Sequence, residues 1–159
     1  MPDHSHLPAA LPARISVVPW RDQPVEAVGH RPDSSYIEAV WLGVLGPSTT
    51  LTWRRLARLA AVHPGGVMGT AELAQSLGLG QGLEKNAPVV PRSIARMVAF
   101  GAARRNGPTI AVRLALPDVP PQQRQRLSSS ARLADQYLGQ RQPGHGTAGN
   151  GPIAAEVGL

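Results

Sequence analysis

A chain of 159 residues has room for one ordinary domain and tails. It holds no cysteine, which excludes disulfides, thiolate nucleophiles and thiolate zinc sites and is the usage expected in a reducing cytosol. Hydrophobic residues make up 42% but aromatics only 4%, so a core must rest on Leu, Val, Ile and Ala, while a net charge of +6 fits either a polyanionic partner or a solvated arginine-rich surface.

Residues 1–33 read as a mostly disordered N-terminal arm, rich in Pro and Ala at its start, with one short strand candidate at Ile15-Ser16-Val17-Val18. An acidic Asp3 and interrupting prolines do not fit a secretory leader, and no run approaches the roughly eighteen apolar residues of a membrane span. The expectation is therefore a soluble, cytoplasmic protein.

A core of residues 34–116 follows. Ser35 and Glu38 have the spacing of a capping box, and Ile37, Val40, Trp41, Val44 and Leu45 form a helical stripe. Gly46-Pro47 ends that helix and opens a second, which runs to about Val62 and buries Trp53, Leu56, Leu59 and Ala60. Val67-Met68 is a short strand candidate. Thr70 caps a helix from Ala71 to Leu77, ended by Gly78. A long polar connection leads to a helix beginning near Pro88 or Pro91 and ending at Gly101. Its inner side is expected to be Val90, Ile94, Met97 and Val98, its outer side Arg92, Ala95, Arg96 and Ala99. Beyond Gly101 the period becomes alternating, and Asn106-Gly107 between Ala102-Ala103-Arg104 and Thr109–Leu114 reads as a hairpin turn. Residues 117–138 are an extended linker and one last helix, about 122–138, with Leu127, Ala131, Ala134 and Leu138 on a face. Residues 139–159 are dominated by Gly, Pro and Gln and read as a disordered tail.

The positive charge is unevenly placed. Residues 47–116 carry nine basic side chains against Glu72 and Glu84, while residues 1–46 are net acidic. Fifteen of the sixteen basic residues are Arg, which makes bidentate contacts to phosphate or guanine that Lys does not.

Thr70-Ala71-Glu72-Leu73-Ala74 with Leu77-Gly78-Leu79, and then Ile94 through Arg105, resemble the helix-turn-helix and first wing strand of bacterial winged helix-turn-helix DNA-binding proteins. Trp41 to Ser48 is similar to a stretch in small winged-helix proteins of GC-rich bacteria. The resemblance covers roughly residues 34–138. It implies a mainly α fold with a small β-hairpin, a winged helix with extra N- and C-terminal helices. One departure is the turn from Gly78 to Val90, much longer than the usual three or four residues.

The resemblance further implies sequence-specific binding of double-stranded DNA and transcription regulation, through a recognition helix at about 91–101 and a wing at about 102–114. Arg92, Ser93 and Arg96 are then expected toward the major groove, and Thr70 toward a phosphate beside free amides. Arg104, Arg105 and Arg113 are expected around the hairpin tip, and Lys85 in the connection, against backbone. A homodimer is expected to place two recognition helices about 34 Å apart on a pseudo-palindrome. The 36–45 and 122–138 helices are the candidate interfaces. The alternative is a winged helix serving as a protein-interaction module of transcription or replication machinery.

No catalytic grouping emerges, and the expectation is a non-enzyme without cofactor or metal. His4 and His6 lack a third ligand nearby, and His63 sits at a helix end. Ser128-Ser129-Ser130 lacks the flanks of a nucleophile elbow, and the glycines from Gly144 to Gly151 open no helix.

Overall fold

The computed structural model describes residues 10–80 and 89–139. Strand β1 (Arg14–Trp20) alternates strictly at its start: Ile15 and Val17 are fully buried, whereas Ser16 and Val18 are half-buried on the opposite face. It is followed by α1 (Gln23–Val28), a π-helical turn (Ile37–Trp41) running into α2 (Leu42–Leu45), and α3 (Pro47–Val62). Then come β2 (Gly66–Gly69), α4 (Thr70–Ser76), α5 (Val89–Ala99), β3 (Ala103–Asn106), β4 (Thr109–Arg113), α6 (Pro121–Arg124) and α7 (Ser129–Leu138). The protein is thus mixed α/β. Its strands form one four-stranded sheet in the order β2-β1-β4-β3.

That sheet is larger than the expected hairpin, because the N-terminal segment enters it. β1 pairs antiparallel with β2 and parallel with β4, so it occupies the interior of the sheet. The mostly disordered arm expected over residues 1–33 is corrected accordingly: residues 14–20 are a central strand and 23–28 a helix. Residues 1–9 and 140–159, including the expected tail and His4 and His6, lie outside the described residues.

Side-chain parity gives the sheet two different faces. Ile15, Val17, Ile110, Val112 and Ala103 share the face against which α3 packs, together with Trp53, Leu56 and Ala60. Trp20, Arg104 and Arg113 share the other.

The stripe read in the 35–45 region is buried in full: Ile37, Val40, Trp41, Val44 and Leu45. The π-type bond from the Leu42 amide to the Ile37 carbonyl adds one residue to that turn and widens the buried arc. The last helix, in contrast, is not continuous. Ser128 breaks it by accepting a hydrogen bond from the Ala131 amide (3.2 Å), so α6 and α7 are separate elements.

A buried polar cluster fastens α7 to the rest. Tyr36 donates to Asp135 Oδ1 (2.6 Å) and accepts from the Val119 amide (2.9 Å). Arg124 Nε lies 2.6 Å from Asp135 Oδ2, and His30 stacks on Tyr36 at 3.7 Å while meeting Asp118 at 2.6 Å. Burial, then the Asp135 hydrogen bond, holds the Tyr36 hydroxyl far above its ordinary range, so it remains a donor.

Candidate nucleic-acid interface

Helix α5 owes its orientation to a stripe at i, i+3, i+4 and i+7: Val90, Ser93, Ile94 and Met97 are buried against the core. Arg92 and Arg96 are exposed on the other side. This differs from the sequence expectation by a rotation of the helix. Val98, expected inside, is 41% exposed, and Ser93, expected outside, is 3% exposed. Hydropathy favoured Val98, but the 3.6-residue period places position 93 between Val90 and Met97.

Arg92 has no hydrogen-bond or ion-pair partner among the described residues. Arg96 spends one Nη2 hydrogen on the Val44 carbonyl (2.7 Å) and lies 5.0 Å from the Phe100 ring. Both border the first turn of α3. Arg54 and Arg58 line other clefts along α3, and Arg55 donates to Ser76 Oγ (3.1 Å).

The arginines of the hairpin are engaged within the protein. Arg104 and Arg113 each lie 3.7 Å from the Trp20 ring, a cation–π sandwich on the open sheet face. Arg113 is at the end of β4 remote from the turn, which corrects its expected position beside the tip. It bonds Asp22 (2.6 Å) and the Gly101 carbonyl (2.8 Å). That hydrogen bond from Arg113 is the main reason the Asp22 carboxyl sits below its ordinary 3.8. Arg105 donates to the carbonyls of Gly107 (3.1 Å) and Ala10 (3.0 Å). The loop itself is Gly107-Pro108, since Asn106 still pairs with Thr109.

Thr70 is likewise occupied, and its expected role as cap is corrected. Gly69 is the N-cap of α4, and the Thr70 amide donates to Ala13 (2.9 Å) while its hydroxyl reaches the carbonyls of Pro12 and Ala13 (3.3 Å each). The segment entering β1 therefore covers the start of α4. Lys85 lies outside the described residues. Of the expected site, the structure brings together Arg92, Ser93 and Arg96. It adds two residues that sequence reasoning missed, Ser48 and Thr49 of α3, which border an open notch with Arg92, Ser93 and Arg96. Their only signal was Gly46-Pro47, read as a helix boundary and not as part of a site.

Among the described residues no group of three or more His, Asp or Glu side chains is arranged to hold a metal, and no helix is long and apolar enough to cross a membrane. No family model, no curated protein and no solved structure matches the chain.

Proposed function

We propose that this protein binds double-stranded DNA in a sequence-specific manner through a winged-helix core and regulates transcription. The single observation that carries the reading is the outward face of α5. It displays Arg92 and Arg96 one helical turn apart while Val90, Ile94 and Met97 anchor the helix from beneath. The order α3, β2, α4, α5, β3–β4 supports it, being the helix–strand–helix–helix–hairpin succession of winged helices. The four-stranded sheet is a variation, with β1 inserted between β2 and β4.

The reading also assigns a homodimer. The 36–45 segment is spent on the protein's own core, so α7, with Leu133 and Tyr137 exposed, is the interface it assigns. Light scattering coupled to size exclusion checks this, with twice the chain mass expected.

Fluorescence polarisation with labelled genomic fragments over a salt series tests the DNA reading. Affinity is expected to fall linearly with salt on logarithmic axes, as counterion release requires. Arg92→Ala with Arg96→Ala is expected to lower affinity for a selected site by about tenfold or more and to relax sequence preference. Equal affinity of the double variant removes α5 from the interface.

The engagement of Arg104, Arg105 and Arg113 within the chain favours a second reading, a winged helix that docks on another protein. It predicts negligible salt-dependent affinity for any duplex.

A further inference from the structure

The first turn of α3 and the side of α5 enclose an open notch of about 410 Å³, bordered by Ser48 and Thr49 on one side and by Arg92, Ser93 and Arg96 on the other. We propose that this notch is a phosphate-binding site, filled in the DNA complex by one backbone phosphate of the duplex. The identity of the phosphate's carrier rests on the DNA-binding reading; the site itself does not.

The donors come from three sources. Helix α3 is sixteen residues long and its N-terminus is uncapped: Gly46 at the N-cap brings no side chain, and Pro47 at the first position brings no N–H. The amides of Ser48 and Thr49 have no backbone or side-chain partner among the described residues. They project from the positive end of the helix dipole.

Hydroxyl groups are the second source, and they point independently to a ligand. Thr49 is 4% exposed and Ser93 3%, yet neither hydroxyl has a hydrogen-bond partner among the described residues. Nor are they sealed from solvent, as the unpartnered hydroxyls of Ser34 and Thr50 are among the described residues. What little exposure they retain therefore includes the oxygen, in the notch they line. Two side chains buried this far, each presenting an oxygen to the notch without a partner from the protein, leave donors available to a ligand.

Third, Arg92 is unengaged and Arg96 retains donors beyond the one given to Val44, so each guanidinium has N–H groups for a phosphate besides those turned to base edges. No Asp or Glu is among the described residues bordering the notch. Two guanidinium groups beside a helix N-terminus repel its dipole, and an oxyanion relieves that repulsion. A tetrahedral phosphate accepts from amides, hydroxyls and guanidinium groups at once, which a planar carboxylate does less completely.

The test follows the backbone amide resonances of Ser48 and Thr49 in the full chain by NMR, during separate titrations with inorganic phosphate and with a short duplex at low salt. Duplex affinity is measured in parallel for the native chain, Ser93→Ala, and Thr49→Val with Ser93→Ala. The expected result is movement of both resonances with either probe. The double variant should also lose affinity at least about tenfold, as for hydrogen bonds to a charged group, with the salt slope unchanged. Ser93→Ala is nearly isosteric, and the resonances are read in the unaltered chain, so a folding defect in the double variant does not obscure the outcome. Salt-dependent duplex binding that leaves both resonances in place, with Ser93→Ala binding at native strength, overturns the notch and spares the DNA reading. Movement with inorganic phosphate but no duplex binding supports the phosphate site, gives it to a small phosphorylated molecule, and overturns the DNA reading. No movement with either probe and no duplex binding overturns both.

Discussion

At the scale of single residues, two ionisable groups tie stability to pH in opposite directions. Asp22 has a depressed pKa because Arg113 donates to it. Its stabilising contribution is present above the ordinary 3.8 and is lost as pH falls through the lower folded-state value. The expected outcome is a melting temperature that drops more steeply below about pH 4 in the native chain than in Asp22→Asn. Tyr36 has a raised pKa, chiefly from burial. Its contribution is complete below the ordinary 10.0 and is lost above it, as the unfolded chain releases the phenolic proton first. Tyr36→Phe is expected to cost about 1–3 kcal/mol at neutral pH, since Val119 N–H and Asp135 both lose a buried partner. It is also expected to flatten the alkaline limb of a urea-melt series taken from pH 8 to about pH 11.

At the scale of elements, the contacts that matter are where helices end. The C-cap of α1 is Gly29, whose φ of −76° suits any residue; what requires glycine is space. A Cβ there would stand 2.3 Å from the Val25 carbonyl oxygen and 3.0 Å from that of Leu116. The same stretch of backbone pairs across to the linker, His30 with Leu116 in both directions (2.7 and 2.9 Å). Gly29→Ala is therefore expected to destabilise by about 1–3 kcal/mol, because backbone on both sides must give way. Chemical denaturation checks this, with an unchanged midpoint as the contrary result. Gly46 is the opposite case: φ is +83° with open space around it, so the backbone conformation itself selects glycine between α2 and α3.

At the scale of the whole molecule, the sheet depends on its first strand. β1 is the strand through which β2 and β4 are joined, and it contributes Ile15 and Val17 to the core at full burial. Removing residues 1–20 deletes both ladders and those two side chains, about 1.5–3 kcal/mol each from burial alone. Against a typical total of about 5–15 kcal/mol, the truncated chain is expected to lack a cooperative thermal transition by circular dichroism. Retention of a sharp transition would show that the helices and the hairpin suffice.

Most helices and the hairpin were legible in the chain before folding, because the signals for them are local. Ile37, Val40, Trp41, Val44 and Leu45 repeat at helical spacing, Gly46-Pro47 and His63-Pro64 bound α3, and alternation returns after Gly101. That Arg14–Trp20 lies inside the sheet was set only on folding, since its partners in β2 and β4 are 49 to 93 residues away in register and no local pattern encodes them. Folding likewise decided which arginines are held by Trp20, Asp22 and backbone carbonyls and which stand free. A guanidinium's charge is written in the sequence. Whether another part of the chain already satisfies it depends on distances that only folding sets.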